Sequence, residues 1–196
     1  MARLTARRLS TAGVGPLDLE LAPGECLGVA GPSGSGKTRL LRVLADLEPW
    51  QGDLALDGIP AHALAPAEWR RRVGLLPAEP VWWEATVGAH FPPGVRPPVE
   101  GLGLDPALLE RRPATCSTGE RQRLALARLL ARDPEVLLLD EPTASLDAAS
   151  ARCVRARLAE RRAAGVPVIW VAHDEGELAE VADRRLTLDR GEAAWN

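Results

Sequence analysis

The chain has 196 residues, 46% of them hydrophobic, enough for one domain with a substantial core and too few for two full ones. Its net charge is −3 and its arginines are scattered without a basic stripe, which argues against nucleic acid as the main partner. The longest apolar run, residues 166–172, is far below the ~20 that cross a bilayer, and no signal-peptide pattern opens the chain, so a cytosolic chain is expected.

In chain order, residues 2–22 read as a hairpin-rich antiparallel edge, and residues 24–31 as a buried strand running into a glycine-rich turn. Leu40, Leu41, Leu44 and Leu47 recur at helical spacing and predict a helix over 37–47. Further strands are expected at "GDLALDG" (52–58) and "RRVGLLP" (71–77). Residues 78–115 change character, because "FPPGVRPPVEGLGLDP" is rich in proline and glycine. They read as a loosely built lobe with one short helix at 106–112, entered through Asp105 and Pro106. Regular structure resumes with a helix over 118–132, a strand over 136–139 and a helix over 148–163 stopped by Gly165. A strand over 166–172, a short acidic helix over 174–182 and a closing hairpin complete the chain.

Strands alternating with helices imply an α/β fold, a mostly parallel sheet with helices on both faces. One domain over 1–196 is expected, with a core of 1–77 and 116–196 and the short helical lobe 78–115 between. Cys26, Cys116 and Cys153 show no metal spacing and read as buried free thiols.

The chemistry begins at "GPSGSGKT". Gly31, Pro32, Ser33, Gly34, Ser35 and Gly36 follow a strand and open a helix, the setting in which backbone N–H groups curl around phosphate oxygens. Lys37 is the only lysine in the chain, and every other basic side chain is arginine apart from the histidines. A compact ammonium on a flexible stem suits the β- and γ-phosphates, and the Thr38 hydroxyl suits Mg²⁺. The strand "VLLL" then ends on Asp140 and Glu141, two acids costly to desolvate unless they have work to do. Parallel strands deliver their C-terminal ends to one edge, so Asp140 is expected to hold the metal and Glu141 to polarise the attacking water. Ser117 and Glu120 form a capping box, which starts a helix able to face an anion.

Taken together, "GPSGSGKT", "STGERQRLALAR", "VLLLDEPTASLD" and "VIWVAHD" resemble, in order, the motifs of the ATP-binding cassette (ABC) ATPases, from residue 25 to the C-terminus. The resemblance implies a P-loop NTPase fold that binds ATP and Mg²⁺. It implies a head-to-tail homodimer in which Ser117, Thr118, Gly119 and Glu120 of one chain cap the ATP of the other. Asp147 matches the acid of the D-loop and is also a natural N-cap. His173 matches the family's switch histidine beside the catalytic Glu141. A separately encoded membrane permease is implied as partner, with this chain peripheral on the inner face of the membrane. A weaker likeness is to small bacterial cassettes paired with iron- or metal-export permeases.

Some positions depart from the family. Ala78 stands where members carry a glutamine, with Glu79 beside it, and Thr118 stands at a glycine of the signature. The first 49 residues hold no aromatic to stack on adenine. These departures predict weak nucleotide affinity and slow turnover, and they keep open a nucleotide-responsive regulator or a soluble, non-transport ABC ATPase with weak hydrolysis. Trp82 and Trp83 read equally as a permease contact or as packing inside the lobe. His62 and His90 read as surface residues.

Overall fold

The structure, a computed structural model, describes residues 2–195. Strands β1 (Leu4–Thr11) and β2 (Val14–Leu21) form the expected hairpin, and β3 (Cys26–Ala30) leads into helix α1 (Lys37–Leu44). Strands β4 (Gln51–Leu56) and β5 (Ile59–Pro60) follow, then α2 (Pro66–Arg72) and β6 (Val73–Leu76). After the lobe come α3 (Thr118–Leu130), β7 (Val136–Asp140), α4 (Ala148–Ala163) and β8 (Val168–Val171). Helix α5 (Glu175–Val181) and the hairpin β9 (Arg184–Asp189) and β10 (Glu192–Trp195) close the fold.

Two sheets result. One is antiparallel, ordered β2-β1-β4-β5; the other runs β10-β9-β3-β8-β7-β6 and is parallel except for the terminal β9–β10 hairpin. All residues of β7 and β8 are buried, because alternate side chains serve opposite faces. Val136 and Leu138 join a cluster with α1, Trp69 of α2 and the antiparallel sheet, whereas Leu137 and Leu139 join α3, α4 and α5 on the other side. Helices thus cover both faces. At ~25 cal/mol per Å² of apolar surface, each fully buried leucine of β7 contributes about 2 kcal/mol. A charged residue anywhere in that strand before Asp140 would forfeit this.

The register settles where the chemistry is brought. Val29 of β3 pairs with Val171 of β8, and Val171 pairs with Asp140 of β7. Consequently the turn after β3, the acids ending β7 and the residue after Ala172 all emerge at one edge.

Several local expectations are corrected. The stretch read as one strand over 71–77 is divided, since Arg71 and Arg72 finish helix α2 and only Val73–Leu76 are extended. Pro66 at the first helical turn, Glu68 behind it and arginines in the last turn supply ordinary helix-end chemistry. Residues 78–115 hold four short 3₁₀ segments, and the helix expected at 106–112 is one of them, Pro106–Glu110, with Asp105 accepting from the Ala107 amide as its cap. This segment is anchored, because Val87, Phe91, Val99, Leu102, Leu104 and Leu108 are buried with α3 and α4. His90 is buried, not on the surface: its Nε2 accepts from the amides of Trp83 and Glu84, both at 2.9 Å, and Nδ1 faces the Thr86 carbonyl. His62 is exposed as expected. Cys26 and Cys116 are buried free thiols, while Cys153 is half-buried.

Candidate active site

Helix α1 begins without a side-chain cap. Gly36, at its N-cap, has φ of 106°, so the first amides of the helix face outward unpaired by side chains. Only glycine fits here, as a Cβ at Gly36 would lie 2.5 Å from Val14 Cγ2, and one at Gly31 (φ 137°) would lie 2.0 Å from the Leu188 carbonyl oxygen. Lys37 folds its ammonium back over this turn, donating to the carbonyls of Gly31 at 2.7 Å and Pro32 at 2.9 Å. Burial lowers its pKa, opposed by the carboxylates of Glu141 and Asp140.

The next residue of the helix closes the link to β7. Thr38 Oγ1 donates to Asp140 Oδ2 at 2.8 Å. Asp140 is only 3% exposed, and that burial raises its pKa, while the Thr38 hydrogen bond works in the opposite direction. Glu141 follows in the left-handed region, φ 50°, a conformation that costs a non-glycine residue and recurs at functional sites. Its amide donates to the Val171 carbonyl at 3.0 Å, and its Oε1 lies 2.8 Å from His173 Nε2.

Lys37, Thr38, Glu141 and His173 line one cavity of about 440 Å³, within the range of small-molecule sites, and Asp140 is tied to it through Thr38. Ser33, Gly34, Ser35, Gly36, Lys37 and Thr38 form one wall, and Glu141 and His173 stand across from it. Ser35 Oγ is buried with no hydrogen-bond partner among the described residues. Outward amides, a buried ammonium and hydroxyls suit phosphate oxygens. Thr38 and Asp140 offer two hard oxygen ligands, and no group of three or more His, Cys, Asp or Glu side chains suited to a metal exists among the described residues. A sparse oxygen set of this kind fits Mg²⁺, which keeps waters and takes its remaining ligands from phosphates.

Other expected residues lie elsewhere. Ser117 caps α3 in a complete capping box: its hydroxyl accepts from the Glu120 amide at 3.2 Å, and its own amide donates to Glu120 at 2.7 Å. Ser117 and Thr118 are exposed, and neither they nor Gly119 and Glu120 line the cavity. Asp147 caps α4, accepting from the amides of Ala149 and Ser150. Ala78 and Glu79 are exposed beyond the end of β6, outside the cavity lining.

Sequence reading missed Arg39, Arg42 and Glu48, which line the cavity and form ion pairs at 3.3 and 2.6 Å. The spacing of the two arginines along α1 after Lys37 was the available signal. Arg39 and Glu48 also border an adjoining cavity of about 480 Å³, whose wall includes Ala12 and Trp50. The first aromatic of the chain, Trp50, thus lines a cavity that shares Arg39 and Glu48 with the first, although it follows the 49 residues in which one was sought.

The fold, the phosphate turn and the paired acids at one sheet edge define a P-loop nucleotide-binding protein. Residues 14–144 match the family described as ABC transporter, and the chain belongs to that family. It is 40% identical over 197 residues to the aliphatic sulfonates import ATP-binding protein SsuB 1 of Pseudomonas fluorescens, covering 98% of this chain and 73% of that protein. It is 41% identical to the Fe(3+) ions import ATP-binding protein FbpC 2 of Rhodococcus jostii, over 88% of this chain and 54% of that protein. Protein STAR1 of Oryza sativa is 37% identical over 90% of this chain, which spans 55% of its length. The chain therefore spans about half the length of two of these relatives. Among solved structures, a bacterial Atm1-family ABC exporter with ATP bound superposes with a TM-score of 0.83 at 25% identity, over 98% of this chain and 38% of that one.

Proposed function

We propose that this chain is the ATP-binding and hydrolysing subunit of a transporter, acting on a separately encoded membrane permease. The observation that carries the reading is the 2.8 Å bond from Thr38 to Asp140, which ties the phosphate turn to the paired acids, the second of which, Glu141, lines the same cavity as the turn. Among the described residues no helix is long and apolar enough to cross a membrane, so the spans of such a transporter lie in another segment or chain. The relatives with import names support transport as the setting.

In this reading Lys37 turns from the carbonyls of Gly31 and Pro32 to the β- and γ-phosphates of ATP, and the first amides of α1 hold the same oxygens. Thr38 and Asp140 are the protein ligands of Mg²⁺. Bound there, the ion neutralises charge that builds on the phosphate oxygens during transfer. Glu141 accepts a proton from the attacking water as its oxygen bonds to the γ-phosphorus and the bond to the β-phosphate oxygen breaks, leaving ADP and phosphate. His173 is held against Glu141 and reaches the γ-phosphate. The base lies toward the adjoining cavity, with Trp50 and the Arg39 guanidinium as its neighbours.

The exposed Ser117, with Thr118, Gly119 and Glu120, closes the site of a second copy head to tail, and Asp147 lies on the same face. The core 1–77 and 116–196 carries the chemistry and the lobe 78–115 meets the permease, so the chain works at the inner face of the membrane. A second reading, a regulator that binds ATP and barely turns over, is favoured by Ala78, which brings no polar side chain to the water.

Glu141→Gln tests the choice. Loss of the general base should lower turnover about 10²–10⁴-fold while ATP still binds and pairs two copies. A wild-type rate no higher than that of Glu141→Gln would overturn hydrolysis and leave the regulator.

A further inference from the structure

Strands β7 and β8 pair as far as Asp140 and Val171, and the Glu141 amide adds one more bond to the Val171 carbonyl at 3.0 Å. Past that point the stretches carrying Glu141 and His173 leave the sheet, and backbone pairing no longer fixes one against the other. Among the described residues two side-chain links join them there: Glu141 to His173 at 2.8 Å, and Thr143 Oγ1 donating to Glu177 Oε1. The first belongs to the site. The second stands outside it, since neither Thr143 nor Glu177 lines the cavity.

Glu177 is unlike the other acids of its helix. Glu175 and Glu180 are exposed, whereas the Glu177 side chain is only 15% exposed. A carboxylate withdrawn from water is costly unless it is bonded, and among the described residues the Thr143 hydroxyl is its one hydrogen-bond partner. Arg155 Nη1, at 3.9 Å from both Glu177 and Glu180, adds charge but is too far to donate. Thr143 is itself buried, and its carbonyl accepts from the Leu146 amide at 3.0 Å, so the hydroxyl is offered from a bonded turn.

Helix α5 needs such a fastening. Its seven residues are too few to hold a helix alone, and Leu178 is its one buried residue. Leu178 lies against Gly28 of β3, where a Cβ would come within 3.2 Å of its Cδ2. One apolar contact seats a helix on the sheet without setting its rotation; the bond to Thr143 is directional and sets it. Thr143 stands two residues past Glu141 and Glu177 four past His173, with Asp174 between as the helix cap. The bond therefore closes a short ring of chain around the acid and the histidine.

We propose that Glu177 is a positioning residue for ATP hydrolysis: bonded to Thr143, it sets α5 so that His173 stays against Glu141. The proposal rests on the preceding reading of the chain as an ATPase and gives that site a support outside its cavity. A misplacement of about 1 Å can cost about 10²-fold in rate. Because Glu177 does not line the cavity, its loss should lower kcat and leave ATP affinity as it is.

The test compares ATP hydrolysis by the full chain and its variants, in steady state and in single turnovers. Glu177→Ala and Thr143→Val should each lower kcat about 10–100-fold, and the double variant should be no slower than the slower of the two. Glu177→Gln keeps an oxygen for the Thr143 hydroxyl and loses only the loose pair with Arg155, so it should stay within about threefold of the parent, as should Thr143→Ser. The decisive reading is the His173→Ala background, where Glu177→Ala should change the rate less than about twofold, because the group it places is already gone. A merely structural role would lower the rate by the same factor in both backgrounds. Undiminished ATP binding shows that a variant is folded; if Glu177→Ala fails to bind, Thr143→Val against Thr143→Ser decides in the same two backgrounds. An unchanged kcat in Glu177→Ala, a Gln variant as slow as the Ala one, or equal factors in both backgrounds would each overturn the proposal, while a hydrolysing parent keeps the ATPase reading. A parent that releases no phosphate overturns that reading, and this proposal with it.

Discussion

Replacing Thr38 by valine removes one hydroxyl and keeps the shape of the side chain. In the folded chain that hydroxyl donates to a carboxylate only 3% exposed, so the substitution strips a partner from a buried anion. Leaving such a group short of a hydrogen bond costs about 1–3 kcal/mol, which for a chain of this size corresponds to a Tm lower by roughly 2–12 °C. The penalty has a definite dependence on pH. Burial already raises the pKa of Asp140 above its ordinary value, and the Thr38 bond is the largest influence lowering it, so Thr38→Val raises it further. A group with a raised folded pKa holds its proton more tightly folded than unfolded; stability is therefore fullest below the unfolded pKa and is lost as pH rises through the folded one. The difference between parent and variant should accordingly be largest at neutral pH and shrink toward acid. Urea denaturation with chelator present, repeated from neutral to mildly acidic pH, reads this directly. A penalty that is absent at neutral pH, or that grows on acidification, would refute the placement of Asp140 as a buried carboxylate dependent on Thr38.

Ser117→Ala removes the cap of α3 and should cost about 1 kcal/mol in a denaturation midpoint. The Ser117 amide first, and then its side chain, hold the Glu120 pKa below the ordinary value, so this part of the box stabilises above the unfolded pKa and fades as pH falls through the folded one; alanine keeps the amide, so parent and Ser117→Ala should both lose it in acid while the parent keeps the hydroxyl's bond to the Glu120 amide. His90→Ala leaves the amides of Trp83 and Glu84 unpaired, a loss of roughly 1–3 kcal/mol that hydrogen exchange should localise to the segment around residues 81–91, with ATP binding unchanged.

What could be read from the chain depended on how local each cause was. Strands β7 and β8 were legible because both faces are buried and their apolar runs are nearly continuous. The caps at Asp105, Ser117 and Asp147 were legible because each acts on amides within three residues. Helix α2 was obscured by having one buried anchor, Trp69, among charged residues, which leaves little periodicity to detect. His90 was misread because the amides it accepts from are gathered by the folding of the 83–90 loop and not by any spacing pattern. In the candidate site the phosphate turn, Asp140, Glu141 and His173 were all legible, whereas Arg39, Arg42 and Glu48 enter through the direction of one helix face.

Gly119 links the exposed start of α3 to the stretch that follows the acids. A Cβ placed there would lie 3.2 Å from Leu146 Cδ2 and 3.4 Å from the Ser145 carbonyl oxygen, so the two segments are in close contact. The Ser145–Leu146 turn in turn runs from Glu141 to the Asp147 cap, with the Leu146 amide donating to the Thr143 carbonyl at 3.0 Å. Packed atoms thus connect Glu141 to the surface bearing Ser117 within a few residues. Gly119→Ala probes this contact. Alanine gains about 1 kcal/mol of helix propensity over glycine, and the crowding of Leu146, the movable end of a side chain, offsets part of it. Global stability should change by less than about 1 kcal/mol. ATP-dependent pairing of two copies, followed by sizing in the slow Glu141→Gln background, should weaken nonetheless, because the added methyl displaces the signature segment from Leu146. Unchanged pairing with unchanged stability would mean that the two segments touch without being coupled.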